Sequence, residues 1–272
     1  MASQIELTRL EAIRPFTGDV GSIRHRVDAG EWAIRQDLAA LYRLVAHYGW
    51  DDLVFTHISY RLPGPERHFL INPYGLLFDE VTASNLVKID VDGYKLDDSP
   101  YPVNPAGFAI HRGVHMASEE AHCVLHLHTA DGVAVASQEG GLLPITQSAM
   151  IMAADLAYHD FGGPGMHGDE GDRIARDLGD KHSMILRGHG TLSVGRTCAD
   201  AFMRAYSLQK ACTYQIRAQS GGGALHRACQ GIPEMIADIV LPSFEGPFGE
   251  LVWPALLRRL DRIDPGYKDR GL

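Results

Sequence analysis

The sequence predicts an α/β domain built on a mixed or antiparallel sheet. Strand-length apolar runs alternate along the chain with apolar residues at helical spacing. The early runs are joined by tight turns such as Leu62-Pro-Gly-Pro-Glu66, where a parallel pair would need a long crossover. The chain carries no GxGxxG, P-loop or GxSxG stretch, so a nucleotide-binding or serine-hydrolase architecture has no support.

Residues 1 to about 30 are polar and mixed, punctuated by Pro15, Gly18, Gly21 and Gly30, and read as an N-terminal arm. From Glu31 the pattern turns helical. Ile34, Leu38, Leu41 and Val45 form one stripe, Arg35, Asp37 and Arg43 lie off it, and Gly49 is a natural stop. Strand-like runs follow at Leu53–Arg61, His68–Ile71 and Leu86–Val91, the last closed by Asp92-Gly93. Asn104-Pro105 has the form of a helix cap followed by proline at the first helical position, opening a helix to about Ser118. Gly107, His111 and His115 recur every fourth residue there and line one face.

Cys123–Thr129 reads as a strand and Ala130–Ser137 as a helix, followed by Gly140-Gly141 and the apolar run Leu142–Ile145. Ala157–Phe161 is a polar-aromatic cluster ended by Gly-Gly-Pro-Gly and so expected at the edge of a loop, where Tyr158 and His159 either reach a site or cover a surface. Asp172–Leu178 is helical in pattern. Strand Met184–Arg187, a loop holding His189 and strand Thr191–Val194 come next. Thr197-x-x-Asp200 then offers a capping box for a long helix ending near Ser220, before Gly221-Gly-Gly223. The tail is less regular, except that Trp253–Ile263 has helical apolar spacing. Trp253, Leu256, Leu257 and Leu260 are expected to pack on the core or on a neighbouring subunit.

Composition bounds the function. The 272 residues suffice for one large domain or two small ones, and 45% hydrophobic with 22% charged residues is ordinary for a soluble globular chain. Lys plus Arg 25 against Asp plus Glu 34 gives a net charge of −9 with no basic stripe, which argues against nucleic acid or an anionic membrane surface as partner. Cys123, Cys198, Cys212 and Cys229 make no CxxC pair, no leader-like or membrane-length apolar run is present, and a reducing cytoplasm is the expected location.

The chemistry centres on Cys123-Val-Leu-His-Leu-His-Thr129. In a strand, Val124, His126 and His128 share one face and Cys123, Leu125 and Leu127 the other, so two imidazoles lean out side by side. That arrangement suits a divalent ion, although two strand histidines bonded to backbone or water would look the same. His189, flanked by Gly188 and Gly190, is a candidate third ligand: glycines on both sides permit a sharp turn and a close backbone approach.

The phrases LYRLVAHYGWDDLVFTHISYR, HFLINPYGLLFDEVTASNLVKI, NPAGFAIH, VLHLHTADGVAVA, GLLPITQSA, AYHDF and ILRGHGTLSVG together resemble the class II aldolase/adducin family, in wording closest to the adducin head domain and its bacterial relatives. The resemblance covers roughly residues 31–223 and leaves 224–272 as a C-terminal extension with a terminal helix. It implies one three-layer α/β/α domain around a mixed, mostly antiparallel sheet, a homotetramer with sites near subunit boundaries, and His126, His128 and His189 as ligands of one divalent metal, zinc ahead of iron or manganese.

The chain also departs from the family's sugar-phosphate aldolases. Aligning their proline-serine-serine-glutamate helix start on Asn104-Pro-Ala-Gly107 puts Gly107 where the acid/base glutamate belongs and Pro105 and Ala106 where two serines hold phosphate; their asparagine becomes His57. Three functions follow. The first is a metal-dependent carbon–carbon lyase, aldolase-like or decarboxylating, on a small non-phosphorylated oxo- or hydroxy-acid, with His111, Tyr158 or His159 moving protons. The second is a three-histidine non-heme iron oxygenase, a chemistry found in some similar family members. The third is a non-catalytic binding module like the adducin head, although the adducin tail's basic stretch is missing here.

Overall fold

The computed structural model describes residues 18, 20–160, 162, 170–226, 228–244 and 249–269. Most of the expected arm, Phe161 and the glycine-proline stretch after Gly162 lie outside these residues. The elements in chain order are α1 Ala29–His47, β1 His57–Arg61, β2 Phe69–Ile71, β3 Val87–Ile89, α2 Pro105–Ala117, β4 Cys123–Leu127, α3 Ala130–Ala136, α4 Gln147–Ala154, β5 Leu156–His159, α5 Glu170–Leu178, β6 Ser183–Leu186, β7 Gly190–Gly195, α6 Cys198–Ser220, α7 Ile232–Phe244 and α8 Trp253–Ile263.

The seven strands form one sheet in the order β3-β2-β1-β4-β7-β6-β5. All neighbours are antiparallel except β5 and β6, which run parallel, as a mixed and mostly antiparallel sheet requires. Strand alternation sends each central strand's residues to two different cores. Ile58, Tyr60, Cys123, Leu125 and Leu127 pack with α1, α6 and α8 on one face. Val124, Leu192 and Val194 pack with Ile110 and Val114 of α2 and Ile174 and Leu178 of α5 on the other. The result is a sheet between two helical layers.

Local signals account for most boundaries. Asp28 Oδ1 accepts the Glu31 N–H at 2.9 Å and starts α1, and Asn104 Oδ1 accepts the Gly107 N–H at 3.2 Å at the start of α2. Thr197 Oγ1 likewise accepts the Asp200 N–H at 3.2 Å. The Asp200 carboxylate does not complete a capping box; it accepts the Gly249 N–H at 3.0 Å and ties the C-terminal segment to α6. Trp253, Leu256 and Leu260 join the α1 core, where Trp253 Nε1 donates to Asp37 at 3.0 Å.

Several elements differ from expectation. Only His57–Arg61 of the Leu53–Arg61 run is strand, because Leu53 takes a left-handed turn conformation at φ 49°. Ala157–His159 belongs to β5, the edge strand of the sheet, paired with β6. Helices α4 and α7 have no counterpart in the sequence reading. Arg35 is fully buried despite lying off the apolar stripe: its guanidinium donates to Glu31 at 2.9 Å and to the Leu86 carbonyl at 2.8 Å, which satisfies the charge in place of water.

Candidate metal and polar site

The sheet face turned toward α2 carries the chemistry. Antiparallel pairing sets His57 of β1 opposite His126 of β4, and β4 is bonded in turn to β7, which starts at Gly190 directly after His189. His128 stands one residue past β4 on the same face as His126. Gly188 turns the chain at φ 66°, and a Cβ at Gly190 would sit 2.4 Å from the Leu127 carbonyl oxygen. The two glycines therefore serve a turn and a close approach that bring His189 over the end of β4.

The three imidazoles converge. His128 Nε2 lies 2.9 Å from His126 Nε2 and 3.0 Å from His189 Nε2, and one nitrogen from each ring falls within 4.8 Å of the others. Two far nitrogens are anchored: His126 Nδ1 donates to the Thr191 carbonyl at 3.0 Å, and His128 Nδ1 donates to Asp52 at 3.1 Å. A carbonyl and a carboxylate only accept, so both Nδ1 atoms carry hydrogen, which leaves Nε2 as the ligand atom of each ring. Burial, with the neighbouring imidazoles adding to it, holds His126 well below the usual histidine range and His189 down to about 4. The Nε2 atoms of His126 and His128, 2.9 Å apart, are placed as two ligand atoms for one electrophile. A divalent ion fits that donor set.

Asp52 is one of the site residues that the sequence reading missed; Ser59 is another. Asp52 lies in the turn that replaces the expected start of β1, with Leu53 and Phe55 exposed beside it. The only signal for it in the sequence was the polar Asp51-Asp52 pair ahead of an apolar run.

Beside the trio runs a second histidine system. His57 Nδ1 is 2.8 Å from His111 Nε2; His111 Nδ1 is 2.6 Å from Ser59 Oγ; Ser59 Oγ is 2.7 Å from His115 Nε2; and His115 Nδ1 is 2.6 Å from the Ala121 carbonyl oxygen. His111 and His115 are fully buried, so the face that they line at four-residue spacing packs against β1. Burial pushes His57 and His115 down to about 3, and His111 well below its ordinary range with His57 and His115 contributing. At neutral pH each ring carries one hydrogen.

The His57 ring occupies the space a side chain at position 107 would take. A Cβ on Gly107 would lie 2.5 Å from His57 Cδ2 and 2.7 Å from its Nε2. An imidazole thus fills the space beside Gly107, the position where the sequence comparison expected a glutamate to be missing.

The remaining candidates make their contacts elsewhere. Tyr158 Oη accepts the Leu142 N–H at 3.1 Å, and the Arg187 guanidinium stacks 4.7 Å over its ring. His159 is flanked by carboxylates, Asp177 at 2.6 Å on Nδ1 and Glu170 at 3.1 Å on Nε2. Among the described residues, the one cluster able to hold a metal is His126, His128 and His189, and no helix is long and apolar enough to cross a membrane.

The chain matches the Class II Aldolase and Adducin N-terminal domain over residues 36–216. A Caulobacter vibrioides protein bearing a provisional aldolase class 2 name is 51% identical over 251 residues, 91% of this chain and 96% of that one. Mouse alpha-adducin is 40% identical over 275 residues, 95% of this chain but 37% of the adducin. The crystal structure of an aldolase II superfamily protein from Pseudomonas syringae superposes with a TM-score of 0.85 at 45% identity, covering 91% of this chain and 99% of that one.

Proposed function

The chain belongs to the class II aldolase and adducin family, and from that premise we propose that it is a metal-dependent carbon–carbon lyase acting on a small, non-phosphorylated oxo- or hydroxy-acid. His126, His128 and His189 hold one divalent ion in this reading, zinc ahead of iron or manganese. The observation that carries it is the convergence of the His126 and His128 Nε2 atoms at 2.9 Å, with the third imidazole 3.0 Å from one of them. A bound divalent ion supplies Lewis acidity toward a carbonyl or carboxylate oxygen.

The chain's own residues have distinct tasks. Asp52 and the Thr191 carbonyl orient the His128 and His126 imidazoles from behind. His57 replaces the glutamate with a neutral ring, and His111 enters as a proton carrier through its hydrogen bond to His57. Tyr158 and His159 are the other proton-bearing groups of the reading. The loss of the two phosphate-binding serines to Pro105 and Ala106 supports a substrate without phosphate. Assembly as a cytoplasmic homotetramer belongs to the same reading, and light scattering of the purified protein checks its mass.

The test is turnover of a panel of 2-oxo- and hydroxy-acids by protein of known metal content, in air and under strict anaerobiosis with the metal kept reduced. Equal turnover in both supports the lyase. Strict dependence on dioxygen transfers the assignment to a three-histidine iron oxygenase, and a protein that takes no metal is a binding module of the adducin kind.

A further inference from the structure

The hydrogen bonds behind His57 run in one direction only, and their end point fixes it. The Ala121 carbonyl cannot donate, so His115 Nδ1 carries a hydrogen and, in a neutral ring, His115 Nε2 is bare. Ser59 must then donate to His115 and accept from His111 Nδ1. His111 Nε2 is bare in its turn and takes the hydrogen of His57 Nδ1. The last atom in the sequence is His57 Nε2, left with a lone pair. The opposite tautomer of His57 would set two lone pairs against each other at 2.8 Å. Among the described residues nothing donates to His57 Nε2, and the residue is 5% exposed.

We propose that His57 is a substrate-binding residue that reads a hydroxyl group through Nε2, and that His111, Ser59 and His115 are positioning residues that fix it as a hydrogen-bond acceptor. The proposal rests on the lyase reading and names its substrate class: a hydroxylated oxo-acid. A site built to accept a hydrogen bond discriminates against an analogue lacking the donor, since its own polar atom is then left unpaired. It also discriminates against a second anionic group, because an oxygen lone pair of a carboxylate or phosphate faces the lone pair of Nε2.

Two measurements on the zinc-loaded protein test this. In protein labelled with nitrogen-15 histidine, two-bond proton–nitrogen correlations are expected to show His57 hydrogen-bearing at Nδ1 and bare at Nε2. Ser59→Ala, which breaks the sequence of bonds while leaving the ring in place, is expected to give a mixture of tautomers. In calorimetric titrations with pyruvate and 3-hydroxypyruvate, which differ by a single hydroxyl, wild type is expected to favour the hydroxylated acid about tenfold, the size of one hydrogen bond. His57→Phe is expected to lose the preference and bind both acids alike. If His57→Phe does not fold, Ser59→Ala carries the comparison and is expected to lose most of the preference.

A His57 protonated at Nε2 in wild type, or a preference that survives His57→Phe, overturns the proposal. Binding of both acids without preference overturns the proposal and leaves the lyase reading standing. Binding of neither acid by zinc-loaded protein overturns the lyase reading and this assignment with it.

Discussion

His57 Nδ1 lies 2.8 Å from His111 Nε2, so the ring that covers Gly107 is held from behind by a residue one helical turn further along α2. The pairing makes position 107 and the His57 ring mutually exclusive occupants of one space, and that exclusion has a measurable sign. Gly107→Ala is expected to destabilise the protein by about 1–3 kcal/mol, overriding the roughly 1 kcal/mol that alanine gains over glycine within a helix. In a His57→Ala background the same change is expected to stabilise, because the clash at 2.5 Å is gone. Urea unfolding of the four proteins in the cycle reads the coupling, and additive effects would show that the ring and position 107 do not compete.

Asp52 meets the trio through His128 Nδ1, at 3.1 Å, and its side chain is 43% exposed. Asp52→Ala is therefore expected to fold normally and to hold zinc about 10–100-fold more weakly, the usual size for loss of a group that orients a metal-binding histidine. Competition with a fluorescent chelator measures it. An unchanged zinc affinity removes Asp52 from the site.

His189→Ala is expected to lose stoichiometric metal while keeping its circular dichroism, since the residue sits in a loop and its ring contributes one of three convergent nitrogens. Elemental analysis of the dialysed variant decides it. A full equivalent of bound metal in the folded variant refutes the three-histidine assignment.

Phosphorylated ketoses and aldoses are expected to be poor substrates. Position 107 has no carboxylate, and Pro105 and Ala106 supply no hydroxyl donors. A coupled assay with fuculose or ribulose phosphates is the check, and turnover at about 1 per second or faster contradicts the argument.

The buried histidines set how stability depends on pH. His115 titrates at about 3 in the folded protein and from 6.5 when freely solvated, because burial disfavours its charged form. Between those values the unfolded chain holds a proton that the folded chain does not. The contribution of His115 is thus fully present above 6.5 and is lost as pH falls toward 3; His57, at about 3, acts in the same direction. Metal-free protein is expected to lose stability steadily from pH 6.5 to pH 4, by up to about 1.4 kcal/mol per pH unit for each such group. His115→Gln is expected to flatten that slope in urea titrations, and an identical slope refutes the assignment.

Much of the fold could be read from residues near one another in the chain, because strand alternation, helical spacing and caps are local properties. Cys123–Thr129 sorted its side chains correctly into a core face and an imidazole face, and Asn104-Pro105 marked the start of α2. The misses were also local in origin. Leu53 reads as the start of a strand by hydrophobicity, yet its left-handed backbone begins a turn. Tyr158 and His159 read as a loop edge because glycines and proline follow, yet their strand is bonded to β6.

By itself the sequence determined which residues can act as ligands, that His126 and His128 share a face, and that glycines surround His189. What it could not determine is where the remaining rings go, since those positions depend on pairings between segments far apart in the chain. The register that sets His57 opposite His126 joins residues of β1 and β4, and the packing of α2 on the same face decides that the His57 ring covers Gly107. His111, read from the sequence as the group nearest the vacated glutamate position, is held behind His57 for that reason. Side-chain direction along one element follows from backbone geometry, but which side chain fills a shared space is decided by close packing between elements, and only the tertiary structure carries that information.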